Sequence, residues 1–324
     1  MSESQTQTSP PPPSSRGRRS LLFRLLRAAG VLAILLYIGD FGYSLYASWK
    51  HDAWETTVQR DENGVMNGCE AFSVGEGDTA IILLHGINDT PSSFQTMAGA
   101  LAERNFHVRA MRMPGFGEPT EAYGAKNAED WIASIEQEAH TLRQQHKRVF
   151  IVAHSLGGAV TIQTLLREGE KQNELFDGVV LLVPAIEVSS RRSPLLKTQK
   201  WHEISQVLFF TKFTFSPFPP DVQDPELRDM PNRIPVTPRS ILNETFRMID
   251  ANRNRESEIT LPVLLVLTDK DMVNDHAASA KWFENIASEK KQLIWNNRSG
   301  HQLLCDLGWE EVVAAIDDFV QEAR

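Results

Sequence analysis

"VFIVAHSLGGAVTIQTLLREG", residues Val149–Gly169, decides how the rest of the chain is read. Its first half is an unbroken apolar and β-branched run, the pattern of a strand covered on both faces. Its second half carries apolar residues at helical spacing as far as Leu166. Ser155 stands at the corner between them. A serine there is either a helix N-cap or a nucleophile at a strand's carboxyl end, where open α/β sheets bind ligands. Ala153 and Gly157, two residues before and two after it, let strand and helix approach closely and leave the hydroxyl clear of the turn. The N–H groups that open the following helix favour negative charge developing at the same spot. Pattern and context together favour the nucleophile.

Outward from this corner, strand and helix signals alternate. "TAIILLHG" (79–86), "FHVRAMRM" (106–113), "GVVLLVPA" (178–185), "PVLLVLT" (262–268) and "KQLIWN" (291–296) read as strands. Helices are expected after Asp89-Thr90-Pro91, over 129–146, 156–167 and 277–287, and from Trp309 to Glu322. Residues 55–74 read as two strands around a turn at Glu62-Asn63-Gly64. Such alternation implies crossover connections and a mostly parallel central sheet flanked by helices, in one domain over 54–324. Residues 187–259 are too long for a simple connection and are rich in Phe and Pro, so they read as an inserted cap.

A nucleophilic serine needs a base, and the base needs an orienting acid. His301 follows the last strand signal, again at a carboxyl end, whereas His51 and His140 read as surface residues, His107 as part of a strand and His146 as a helix-end residue. The loop "TDKDMVND" after "PVLLVL" offers Asp269, Asp271 and Asp275 as acids.

The segments "LLHGIND", "MPGFGEP", "VAHSLGGAV", "VLLVLTDKDMVND" and "SGHQLL" resemble the α/β-hydrolase superfamily, in its chain order Ser…Asp…His. Within it the chain is similar to the monoacylglycerol lipase and lysophospholipase-like (serine aminopeptidase S33-type) branch, over about Thr79 to Phe319. The resemblance implies Ser155 as nucleophile, His301 as base and Asp271 as acid, with Asp269 as runner-up because Thr268 replaces the family's usual glycine. It also implies an oxyanion hole from the backbone N–H groups of Ile87 and Leu156, and a loop-ordering role for His85. Phe116 fills a place where relatives often carry His.

The amino-terminal 1–20 is Pro/Ser-rich and basic and is expected to be disordered. Residues 21–49 follow as an apolar helix with a basic flank before it, the pattern of a single-pass signal-anchor with the amino terminus cytoplasmic and the catalytic domain outside. A cleaved signal peptide is the rival reading, with a poor cleavage site at "SLYAS". The net charge of −9, with five arginines among residues 1–30, leaves an acidic remainder that repels phosphate backbones, so nucleic acid is not a partner. Cys69 and Cys305 read as separate buried thiols, or as a single bridge if the domain is exported. No metal or cofactor motif occurs, and the sequons at Asn88, Asn243 and Asn297 read as chance matches because two of them crowd the site. The expected function is hydrolysis of a carboxylic, lipid-like ester. An amidase or aminopeptidase is the alternative enzyme, and a non-catalytic hydrolase-fold protein the alternative outside catalysis.

Overall fold

The computed structural model describes residues 15–193, 195–229 and 233–323, with the backbone alone at 15–20 and 229. The expected arm over 1–14 lies outside the described residues, while residues 15–20 form the first turns of helix α1, Ser15–Glu55. The strands are β1 Phe72–Val74, β2 Thr79–Leu84, β3 Phe106–Met111, β4 Arg148–His154, β5 Gly178–Leu182, β6 Phe213–Phe215, β7 Val236–Pro238, β8 Val263–Leu267 and β9 Lys291–Trp295. After α1 the helices are α2 Gln95–Ala102, α3 Thr120–Gly124, α4 Ala128–Arg143, α5 Leu156–Glu168 and α6 Gln172–Leu175. Then come α7 Thr198–Ser205, α8 Arg239–Asn252, α9 His276–Glu284 and α10 Trp309–Glu322.

One sheet carries the order β1-β3-β2-β4-β5-β8-β9. Every pair in it is parallel except β1 with β3. β5 and β8 are buried along their whole length, and β4 from its second residue on. That is why these segments read as continuous apolar runs: crossover helices cover both faces of a parallel sheet. α2 packs on α10, and α4 on α5, which also meets α8. Asn127 caps α4 in a reciprocal capping box with Asp130, so this amphipathic helix starts one residue before its sequence signal.

β5 and β8 are hydrogen-bonded neighbours, yet the chain leaves the sheet after Leu182 and returns only at Val263. The insertion between them holds α7, the small antiparallel pair β6–β7 and α8. Its footing on α1 centres on one carboxylate. Asp40 Oδ2 accepts from the backbone N–H groups of Phe209 (2.6 Å) and Phe210 (2.8 Å), and Oδ1 from Thr211 N (3.1 Å) and Thr211 Oγ1 (2.6 Å). Ser44 Oγ donates to the Phe210 carbonyl, and the Phe210 ring lies against Tyr37 and Phe41 at 4.9 and 5.2 Å between centroids. Asp40 is thus 6% exposed and bonded to protein. The preceding stretch of α1 is apolar and open to its surroundings, and it is the one helix among the described residues long and apolar enough to cross a membrane.

Two local expectations are corrected, and of the two readings of the cysteines the separate thiols hold. Residues 55–74 do not form two strands. Asp61 Oδ1 takes the N–H groups of Asn63 (2.9 Å) and Val65 (2.8 Å), closing a side-chain turn that leaves only a bridge between Arg60 and Met66 before β1. His51 is buried, because α1 runs on past it and brings Nε2 within 2.8 Å of Thr120 Oγ1. Cys69 and Cys305 are both free; the first is buried and the second half-buried.

Removing the Asp40 carboxylate leaves three backbone N–H groups and a hydroxyl without their acceptor, a loss on the order of 2 kcal/mol locally. Limited proteolysis of the detergent-solubilised chain should therefore cut the 207–211 loop about tenfold faster in Asp40→Ala than in wild type. Equal cutting would mean that this carboxylate does not hold the loop.

Candidate active site

The turn from β4 into α5 places Ser155 at φ 53° and ψ −116°, a left-handed conformation that a non-glycine residue adopts only under constraint. Ser155 N donates to the Leu182 carbonyl of neighbouring β5 (3.0 Å), while Ser155 O accepts from Ala159 and Ala185. The small residues around it are set by contact. A Cβ on Gly157 would meet the carbonyl oxygens of His85 and Leu84 at 2.6 and 2.7 Å, and one on Gly158 would meet Pro184 Cβ at 2.7 Å. These gaps let the loop after β2 and the loop after β5 close onto the serine turn. Gly86 sits beside it, with Ser155 Cβ 3.0 Å from where its own Cβ would stand.

His301, on the loop after β9, and Asp271, on the loop after β8, converge on the same point. His301 Nε2 lies 2.9 Å from Ser155 Oγ, and His301 Nδ1 lies 2.8 Å from Asp271 Oδ2. All three side chains are buried. Burial alone would push the Asp271 carboxyl up, but the His301 ring and the N–H groups of Asn274 and Val273 outweigh it and hold the group below its ordinary value. An ionised Asp271 only accepts, so Nδ1 carries the imidazole hydrogen and Nε2 turns its lone pair toward the serine hydroxyl. The two other acids on that loop do different work. Asp275 caps α9 through the N–H groups of Ala277 and Ala278, and Asp269 is exposed.

The loop carrying His301 is held by groups that no motif announces. Asp306 is fully buried and accepts from Gly300 N (2.7 Å), Gln223 N (2.8 Å), Asp224 N (2.8 Å) and Ser299 Oγ (3.1 Å). Asp221 Oδ2 accepts from Met272 N beside Asp271, and its backbone carbonyl accepts from Gln302 N beside His301. Thr268, which departs from the family pattern, donates through Oγ1 to the Ser299 carbonyl (2.7 Å) and so ties the two loops together. His154 and His301 are linked by a 2.9 Å bond from His154 Nε2 to the His301 carbonyl. Burial and the neighbouring His301 push His154 down to about 3, and burial pushes His85 down to about 4. Both are therefore neutral at ordinary pH. His85 Nε2 accepts from Met113 N, so its Nδ1 donates to the Gly86 carbonyl, with Phe116 packed edge-on against the ring.

Above Ser155 lies a cavity of about 490 Å³, lined in part by Ile87, Phe215, Leu242, Val273 and His301. Ile87 is thus at the cavity wall, and Leu156 opens α5, where a helix leaves its first N–H groups without partners of its own. Among the described residues no group of three His, Cys, Asp or Glu side chains is gathered to hold a metal ion.

Two outcomes follow. Asp306→Asn replaces an all-acceptor carboxylate by a group with one acceptor oxygen and an NH₂ facing N–H donors. It should lower unfolding free energy by about 2–3 kcal/mol and slow covalent labelling of Ser155 about tenfold. Wild-type stability with wild-type labelling would refute that role. Independently, His85 and His154 bind protons more readily in the unfolded chain, near ~6.5, than in the fold. Their stabilising contribution is complete above that value and lost as pH falls toward about 4 and about 3. The urea midpoint, followed by tryptophan fluorescence, should fall steadily below pH ~6.5, and less steeply in His154→Gln. A midpoint flat down to pH ~4.5 would contradict the burial of neutral imidazoles.

The model of the family described as serine aminopeptidase, S33, matches residues 75–308. The thermostable monoacylglycerol lipase of Bacillus sp. (strain H-257) is 23% identical over 242 residues, 75% of this chain and 90% of that protein. A carboxylesterase of Bacillus subtilis (strain 168) is 22% identical over 253 residues, 78% of this chain and 96% of its own length. The crystal structure of a Paleococcus ferrophilus monoacylglycerol lipase superposes with a TM-score of 0.66 at 19% identity, covering 78% of this chain and 98% of that one. With the sheet order, the serine turn and the matched span in agreement, the chain belongs to the serine aminopeptidase S33 family of hydrolases and has the α/β-hydrolase fold.

Proposed function

We propose that the chain is a serine hydrolase of carboxylic esters on lipid-like amphiphiles, working through Ser155, His301 and Asp271. The observation that carries the reading is the continuous hydrogen-bonded line from Ser155 Oγ through the imidazole to the Asp271 carboxylate, at 2.9 and 2.8 Å. As Oγ attacks the ester carbonyl carbon, its proton passes to His301 Nε2, and Asp271 balances the imidazolium. The tetrahedral oxyanion accepts the backbone N–H groups of Ile87 and Leu156. Collapse breaks the bond to the alcohol, which leaves with the proton from His301. Water, deprotonated by the same imidazole, then releases the acid and restores Ser155.

Ester over amide is favoured by the relatives, a monoacylglycerol lipase and a carboxylesterase. It is also favoured by the one carboxylate among the described residues lining the cavity, Asp221, which is already engaged by Arg192 at 3.0 Å and so is not free to hold a substrate amine. Residues 187–259 act as the cap of this cavity, to which they contribute Phe215, Phe218, Asp221 and Leu242. The apolar part of α1 anchors the enzyme in a membrane as a single span, with the catalytic domain on the far side from the basic amino terminus.

A fluorophosphonate probe should label wild type and fail to label Ser155→Ala, and His301→Ala should lower ester turnover at least a thousandfold. Equal labelling of wild type and Ser155→Ala would remove the serine from the reaction. Esters of increasing acyl length should be cleaved in preference to aminoacyl amides. Fractionation should recover the activity, uncleaved, with membranes; a shortened soluble product would overturn the anchor.

A further inference from the structure

The cavity over Ser155 is walled in part by a residue from outside the hydrolase domain. Lys50, near the carboxyl end of α1 and ~15 Å along the helix axis beyond Asp40, lines it together with Arg192, Arg228 and Arg233 of the insertion. The chain as a whole has a net charge of −9, so four cations around one cavity are a marked local reversal. Two of them face acids. Arg192 pairs with Asp221, and Arg233 lies near the buried Asp89, offsetting part of the upward push that burial gives that carboxyl. Among the described residues, Lys50 and Arg228 meet no carboxylate. Lys50 Nζ instead stands 4.6 Å from the centroid of the Phe215 ring, which fixes the ammonium at the cavity wall by a cation–π contact.

Lys50 is half-buried and Arg228 is exposed at the rim of this partly apolar cavity, and cations with no carboxylate opposite them attract an anion that enters it. These guanidinium and ammonium groups line the same cavity as Ser155 and His301. We propose that α1 completes the substrate site, and that the ester taken there carries an anionic head group, a phosphate or a carboxylate, held by Lys50 and Arg228 while its carbonyl meets Ser155. This rests on the serine-hydrolase reading above. It gives α1 a second task besides anchoring: Asp40 fixes the loop that leads into β6, and Phe215 of β6 carries the Lys50 contact.

The test uses the full chain in nonionic micelles, where no surface charge sorts the substrates. Three amphiphiles with one common acyl chain are presented at the same low mole fraction: a neutral monoacylglycerol, its phosphate monoester, and an acyl glycerate bearing a carboxylate. Wild type should show kcat/KM about tenfold or more higher for at least one anionic ester than for the neutral one, and the two anionic arms tell phosphate from carboxylate. The anionic-to-neutral ratio should fall about tenfold in Lys50→Gln and again in Lys50→Gln with Arg228→Gln, the size of one charge-assisted hydrogen bond each, and Lys50→Arg should keep it. Because the ratio is internal to each preparation, partial misfolding does not mimic the effect. A wild-type ratio at or below one, or a ratio unmoved by Lys50→Gln, overturns the proposal. Fluorophosphonate labelling in parallel separates the two levels: an enzyme that labels at Ser155 but ignores head-group charge loses this proposal alone, and one that does not label loses the serine-hydrolase reading beneath it.

Discussion

Two hydrogen bonds to one imidazole define the candidate site, and the sheet alone does not bring their partners together. Ser155 leaves β4, Asp271 leaves β8 and His301 leaves β9, with β5 between the first two strands. At ~4.8 Å per strand, the ends of β4 and β9 stand ~14 Å apart. The loop after β9 must therefore lean back across the sheet, and it does so through a set of buried bonds. Asn296 gathers the N–H groups of Arg298 and Ser299 and donates to the Gly308 carbonyl. Asp306, Thr268 and His154 then fix Gly300, Ser299 and the His301 carbonyl in turn. Gly300 has no side chain because its Cβ would sit 2.5 Å from the Asp221 carbonyl oxygen, where the insertion presses on the loop.

The same bonding style continues into the insertion and on to α1. Asp306 accepts N–H groups of residues 223 and 224, Asp221 accepts one beside the acid, and Asp40 accepts those of residues 209–211. Each is a carboxylate taking up backbone donors that no strand or helix satisfies. An irregular insertion between two buried strands leaves many such donors, and burying them unpaired would cost more than the carboxylates do. The acidic composition of the chain thus has an internal use besides solubility.

This explains what the sequence made legible and what it did not. The buried strands announce themselves because both faces are covered, and α10 matches its sequence signal from Trp309 to Glu322 because its apolar stripe is long and periodic. Ser155 and His301 stand out by position at strand ends. Asp271 is one of three acids on its loop, which the residues alone leave open and the family resemblance narrows to Asp271 before Asp269; the structure separates them by what each side chain meets in space. Asp221 and Asp306 carried no signal at all, since a carboxylate that binds backbone N–H groups depends on which loops are neighbours. The strands β6 and β7, three residues each, are too short to have a period. The segment 55–74 alternated like a hairpin, yet the Asp61 side chain captured its donors first.

His154 shows how burial serves the proposed chemistry. Its ring centroid lies 4.8 Å from that of His301. Two imidazolium ions at that separation would repel by about 3 kcal/mol at an effective dielectric of 20, and the proton taken from Ser155 would be opposed by that amount. Burial keeps His154 neutral by pushing it to about 3, and its one observed bond, to the His301 carbonyl, is one that a neutral ring can donate. The positive charges near the site stand instead at the cavity wall, on Lys50 and the insertion arginines. Next to His301, the Asp271 carboxylate is hydrogen-bonded to the imidazole and the buried Asp89 acts on it from farther off, so the cation formed in the proposed acyl transfer meets carboxylates and a neutral His154.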